Sequence, residues 1–109
     1  MAISGTDLLA RIDAGNAPAI LDVRSTKEFA RGHVPGAIHI PFASVDQHVS
    51  EIPGSPRDPV VVYCGHGPRA WFAGRALRRH GFEQVMYLKG HMHGWRQAGL
   101  REETEGTVR

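Results

Sequence analysis

The chain has 109 residues, 41% of them hydrophobic and 22% charged, which is enough for one domain with a real core and too apolar for a disordered chain. Thirteen Lys and Arg against eleven Asp and Glu leave a formal charge of +2, too near balance to mark a nucleic-acid binder. A single cysteine excludes an internal disulfide framework and cannot by itself build a zinc or iron–sulfur site.

Residues around Ala2 and Ile3 leave room for a short edge strand. Met1-Ala2-Ile3-Ser4 has neither the basic nor the apolar region of a signal peptide. No apolar run approaches the ~18 residues of a membrane span. The expectation is a cytoplasmic protein that binds neither membrane nor nucleic acid. Ser4 stands three residues before Asp7, a capping spacing in which the serine hydroxyl accepts from an orphan backbone N–H. Leu8, Leu9 and Ile12 then form an apolar stripe. After the turn residues Gly15 to Pro18, Ala19 to Val23 reads as a buried strand.

Ser25 and Glu28 repeat the capping spacing. Ala37 to Ile40, closed by Pro41, is a short strand. Ser44 and Gln47 give a third capping spacing, ahead of an apolar stripe of Val45, Val49 and Ile52. Val60 to Tyr63 is the clearest strand. Ala70 to His80 is the strongest helix, with Trp71, Phe72, Ala73, Ala76 and Leu77 as its apolar face and Gly81 at its stop position. Arg75, Arg78, Arg79 and His80 read as a solvated helix face. Val85 to Leu88 is a further strand, and a last short helix runs near His93 to Gln97. Arg101 to Arg109 nearly lacks apolar residues and reads as a frayed polar tail on a domain of residues 1–100.

Strands alternating with helices, several of them uniformly apolar, imply an α/β fold with a parallel sheet covered on both faces. In such sheets the site lies beyond the carboxyl ends of the strands. Cys64 sits at that end of Val60 to Tyr63, followed by Gly65-His66-Gly67-Pro68-Arg69 and then the strong helix. The glycines permit a tight turn with N–H groups facing inward. The helix start and Arg69 add positive charge. Each feature favours thiolate over thiol, so the reactive reading outweighs that of a packing cysteine. A Cys-x5-Arg loop, as in cysteine phosphatases and arsenate reductases, encloses a tetrahedral oxyanion. Cys-x4-Arg makes a smaller ring, better matched to one sulfur atom bonded to the cysteine.

Three blocks of sequence resemble the rhodanese family of sulfurtransferases in its single-domain form. The first is Leu21-Asp22-Val23-Arg24 with Glu28-Phe29 and the run Gly32 to Pro41. The second is Tyr63 to Ala70, and the third is Leu88-Lys89-Gly90 with Gly94-Trp95 and Gly99-Leu100. The resemblance implies a five-stranded, mostly parallel sheet with helices on both faces. It implies that Cys64 takes a sulfur from a donor such as thiosulfate or a low-molecular-weight persulfide. A thiophilic acceptor then removes that sulfur: cyanide in an assay, a thiol or a protein in the cell. The N–H groups of Gly65, His66, Gly67, Arg69 and Ala70 cradle the persulfide, with no metal or organic cofactor expected.

Arg69 matches a common basic residue of that family, which either holds an anionic donor or pairs with a nearby carboxylate. Asp22 and Arg24 stand beside the site, and fixing the loop by ion pairing is the favoured reading. Glu28, four residues after Arg24, pairs with it if both lie on one helix. It replaces a basic residue of some two-domain members, which weakens the case for strong thiosulfate affinity. His66 is a solvated loop residue or a proton shuttle, and His33 buttresses its turn. His91-x-His93 lacks the companion ligands of a metal site, and His91 stands where the family usually keeps a second glycine. Trp95 is a core residue. Two rivals remain: a non-catalytic binding module, and a phosphatase or arsenate reductase. Loop length and Tyr63, where a phosphatase has a histidine, speak against the second.

Overall fold

A computed structural model describes residues 1–105 of the chain. Among these, β1 (Ala2–Ile3), β2 (Ala19–Asp22), β3 (Ile38–His39), β4 (Val60–Tyr63) and β5 (Val85–Leu88) form one sheet in the order β1-β5-β4-β2-β3. Every pairing is parallel. The α/β architecture with a five-stranded parallel sheet and helices on both faces is the one expected.

β4 lies at the centre, and all four of its residues are buried. Successive side chains on a strand point to opposite faces. Val60, Val62 and then Cys64 therefore pack with Leu21, Val23, Ala73 and Leu77, on the side covered by α3 (Val45–His48) and α4 (Pro68–Arg79). Val61 and Tyr63 pack with Leu8, Leu88, Met92 and Trp95, on the side of α1 (Gly5–Asp13) and α5 (His91–Gln97). Burying each such aliphatic side chain contributes roughly 1.5–3 kcal/mol. The alternation that builds the core also delivers Cys64 to the sheet's carboxyl edge, facing the start of α4.

Two of the three serine caps form. Ser4 Oγ accepts from Asp7 N–H at 3.1 Å. Ser25 and Glu28 make a full reciprocal box at the start of α2 (Thr26–Arg31), at 3.2 and 3.0 Å. Ser44 does not cap. It ends a 3₁₀ turn over Phe42–Ser44 at φ −109°, ψ 4°, away from the extended conformation that aims a serine hydroxyl at the helix. Only one turn of α-helix follows before a second 3₁₀ turn at Val49–Glu51. The apolar stripe still works: Val45 and Ile52 are buried, and Val49 packs against them.

α4 starts at Pro68, two residues earlier than expected, with proline at a first-turn position that needs no N–H partner. Its end is a Schellman turn: Gly81, at φ 88°, donates to Arg78 O, and Phe82 N–H reaches Leu77 O. The apolar face differs from the expected one. Ala70, Ala73, Ala76 and Leu77 are buried, but Trp71 and Phe72 are 51% and 55% exposed. A helix turns about 100° per residue, and the row of Ala70, Ala73 and Leu77 leaves Trp71 and Phe72 off the core stripe. Arg75 lies over the Trp71 ring, 5.2 Å from its centroid.

The segment expected to fray is tied down as far as the described residues reach. His33 and Glu103 exchange both backbone hydrogen bonds at 2.9 Å, and Glu105 N–H donates to Ala30 O. Buried Trp95 donates its indole N–H to Arg101 O. Backbone groups satisfied this way anchor a polar segment without apolar side chains. Residues 106–109 lie outside the described part.

Candidate active site

Cys64 follows β4 directly, and Gly65, His66 and Gly67 lead into α4. Gly67 has φ 142°, a region that side chains rarely enter, and the turn it makes points its N–H back at the thiol. That N–H donates to Cys64 Sγ at 2.9 Å. The Ala70 N–H, in the first turn of α4, also favours charge on the sulfur. No side chain caps α4, so its first-turn donors are available to a buried anion. The Cys64 side chain itself is buried.

A third partner was missed in the sequence. His91, the first residue of α5, accepts the Cys64 N–H on Nδ1 at 3.2 Å, and its ring favours the Cys64 thiolate. Burial pushes the thiol up, but the His91 ring and the N–H groups of Ala70 and Gly67 outweigh it and bring the thiol down to about 7. The available signal was the replacement of a customary glycine after Gly90. His91 and His93 diverge. His93 makes a tilted ring contact with the exposed His66, centroids 5.0 Å apart, at the mouth of the site.

Asp22 and Arg24 form a buried pair at the carboxyl end of β2. Arg24 donates through Nε and Nη2 to the Asp22 carboxylate at 2.8–3.1 Å, and its Nη2 also reaches Gly32 O at 2.7 Å. Asp22 further accepts the Arg24 N–H. The Tyr63 hydroxyl accepts from Val34 N–H and lies within reach of the Asp22 charge. Burial, then the Asp22 charge, holds that phenol well above its ordinary value. His33 is buried nearby, stacked on Phe29 at 3.7 Å with Nδ1 bonded to Phe29 O.

Glu28 does not pair with Arg24. Arg24 precedes α2 and is turned inward by Asp22, so the helical i,i+4 spacing never applies. Glu28 instead grips Arg69 with both oxygens, at 2.7 and 3.2 Å. Arg69, helped by Ser25 and opposed by partial burial, holds the Glu28 carboxyl down at about 2. The two groups line an open cleft with Gly65, His66, His93 and Arg96. A second cleft, at the amino ends of β2 and β4, is lined by residues such as Arg11, Asn16 and Asp58 and carries no nucleophilic cysteine or histidine.

The structure thus gathers Cys64, Gly67, Ala70, Gly65, His66 and Arg69 at one strand end, with Glu28 on Arg69 and the Asp22–Arg24 pair beneath. The model of the rhodanese-like domain matches residues 4–98, nearly all of this arrangement. The chain belongs to the rhodanese-like family. A sulfurtransferase of Allochromatium vinosum is 36% identical to it over 81 residues, 74% of each chain. A helix-turn-helix-type transcriptional regulator of Mycobacterium tuberculosis, Rv0324, is 40% identical over 101 residues, 91% of this chain. The chain spans less than half of that regulator, 43%, and 45% of YrkF from Bacillus subtilis. Among solved structures, the Alr3790 protein of Anabaena sp. superposes with a TM-score of 0.81 at 30% identity, over 94% of this chain and 91% of that one. Rhodanese-like chains are thus found both as separate proteins and as parts of longer ones. Among the described residues of this member, no helix is long and apolar enough to cross a membrane.

Proposed function

We propose that the chain is a sulfurtransferase in which Cys64 carries sulfane sulfur as a persulfide. The observation that carries this reading is the Cys64 sulfur itself, poised near neutrality beneath the Gly67 and Ala70 N–H groups. With thiosulfate, the Cys64 thiolate attacks the outer sulfur. The new S–S bond forms as the S–S bond of the donor breaks, and sulfite leaves with the electron pair. Cyanide then attacks the outer sulfur of the persulfide, thiocyanate departs, and the Cys64 thiolate returns. N–H donors fixed around the sulfur hold this charge without reorganising. Sulfurtransfer by the Allochromatium vinosum relative is consistent with the same reaction class.

The mouth bears on the donor. Arg69 is occupied by Glu28 and Arg24 by Asp22, so a thiosulfate dianion meets paired arginines and a carboxylate. A low-molecular-weight persulfide, which brings no sulfonate group to the reacting sulfur, suits this mouth better. The chain's single cysteine provides no resolving thiol, so the sulfur passes to an external thiol or protein. Such chemistry suits the cytoplasm, where a lone cysteine stays reduced.

The test loads the intact chain with thiosulfate, glutathione persulfide and mercaptopyruvate in turn, followed by mass spectrometry and cyanolysis. Wild type should gain one cyanolysable sulfur on Cys64, and Cys64→Ser none. Equal transfer by both proteins would remove Cys64 from the mechanism. A wild type that takes sulfur from no donor would point to a binding module instead.

A further inference from the structure

We propose that His91 is a positioning residue for the thiol: its Nδ1 takes the Cys64 N–H, and the same imidazole, lying against the Gly67 turn, favours thiolate on the residue whose backbone it holds. The inference rests on the sulfurtransferase reading and extends it to a residue outside the loop.

Backbone geometry is the first support. His91 has φ 55° and is the one residue other than glycine with a positive φ among those described. Such a conformation persists only where its surroundings over-determine it, and it concentrates at functional sites. Here the surroundings are the loop. Met92 N–H donates to Cys64 O at 2.9 Å, and His93 N–H donates to Gly65 O at 3.1 Å. The first turn of α5 is thereby stitched to the nucleophile's own backbone, with the His91 ring between them.

Ring chemistry is the second. An Nδ1 that accepts an N–H carries no proton, so the neutral ring keeps its proton on Nε2. Nε2 faces the loop and lies 3.5 Å from where a Cβ on Gly67 would stand. The same Gly67 gives its N–H to Sγ. The other charged groups around the thiol and its cleft are Arg69 from α4, Asp22 at the end of β2, Arg24 just beyond it, Glu28 from α2 and Arg96 from α5, with His66 and His93 at the mouth. The permanent charges among them are paired, Arg24 with Asp22, Arg69 with Glu28 and Arg96 with Glu102. His91 is the titratable side chain that takes the nucleophile's own backbone N–H.

The experiment compares wild type with His91→Gly and His91→Asn. Glycine accepts the left-handed backbone and removes the ring. Asparagine tolerates the same backbone and keeps an acceptor for the Cys64 N–H. The rate of iodoacetamide alkylation of Cys64 is followed against pH, with circular dichroism to verify the fold. Thiolate increases with pH, so the wild-type rate should rise through about 7 and level off above it. In His91→Gly the inflection should move up by about one unit, slowing alkylation at the acidic end by about tenfold. Asparagine should restore part of that loss. A folded His91→Gly with the wild-type inflection overturns the proposal. A second measurement uses wild type alone: the His91 ring nitrogen resonances should shift when Cys64 is alkylated, and unchanged resonances would equally refute the role. Neither readout uses a sulfur donor, so failure to load sulfur would defeat the sulfurtransferase reading without disturbing this result.

Discussion

Asp22–Arg24 and Glu28–Arg69 are the same chemical pair at two depths. Both bring a carboxylate to an arginine at 2.7–2.8 Å, and both border the Cys64 loop. The first is 0–2% exposed and ties β2 to Gly32 O, with the Tyr63 hydroxyl of β4 in its field. The second is about one-third exposed and stands at the mouth of the cleft. A buried pair cannot lose one partner without leaving the other charged and desolvated, whereas water replaces the missing partner of a rim pair. The inner pair therefore belongs to the frame of the site, and the outer pair to what the site admits. Arg79–Asp46, on the surface between α3 and α4, continues the series to 49–59% exposure.

The largest effect should come from Asp22→Ala. It strands buried Arg24, and should cost about 3–5 kcal/mol. The thermal midpoint should fall by more than about 10 °C in calorimetry. A fall no larger than that of the rim variant would break the distinction between the two depths. Glu28→Gln comes next. Its loss of stability should stay at about 1 kcal/mol or less. Releasing Arg69 should raise kcat/KM for thiosulfate about fivefold, equivalent to ~1 kcal/mol. An unchanged kcat/KM would show that the outer pair does not govern donor entry. Asp46→Ala should be the smallest, with a midpoint and a sulfur-transfer rate indistinguishable from wild type. A measurable drop in either would mean that burial is the wrong axis for ranking these pairs.

Local chemistry was legible in the residues. The Ser25–Glu28 box, the Gly81 stop and the Cys64 loop each depend on groups within about five positions, where backbone geometry fixes distance. Ser44 shows the limit of that logic. Its spacing to Gln47 is right, but a preceding 3₁₀ turn holds its backbone away from the capping conformation. Trp71 and Phe72 show another: hydrophobic identity alone did not reveal which side of α4 meets the sheet.

By itself, then, the sequence determined the alternation of strands and helices, the parallel sheet and the position of the thiol at a strand's carboxyl end. These follow from side-chain period and turn chemistry, which act along the chain. The tertiary structure alone decided that Glu28 belongs to Arg69, 41 residues away, and that His91 belongs to Cys64, 27 residues away. It also decided that residues 101–105 fold back onto the domain. Such pairings arise where packing brings chain ends, loops and helix starts to one edge of the sheet. No spacing rule along the sequence records that approach.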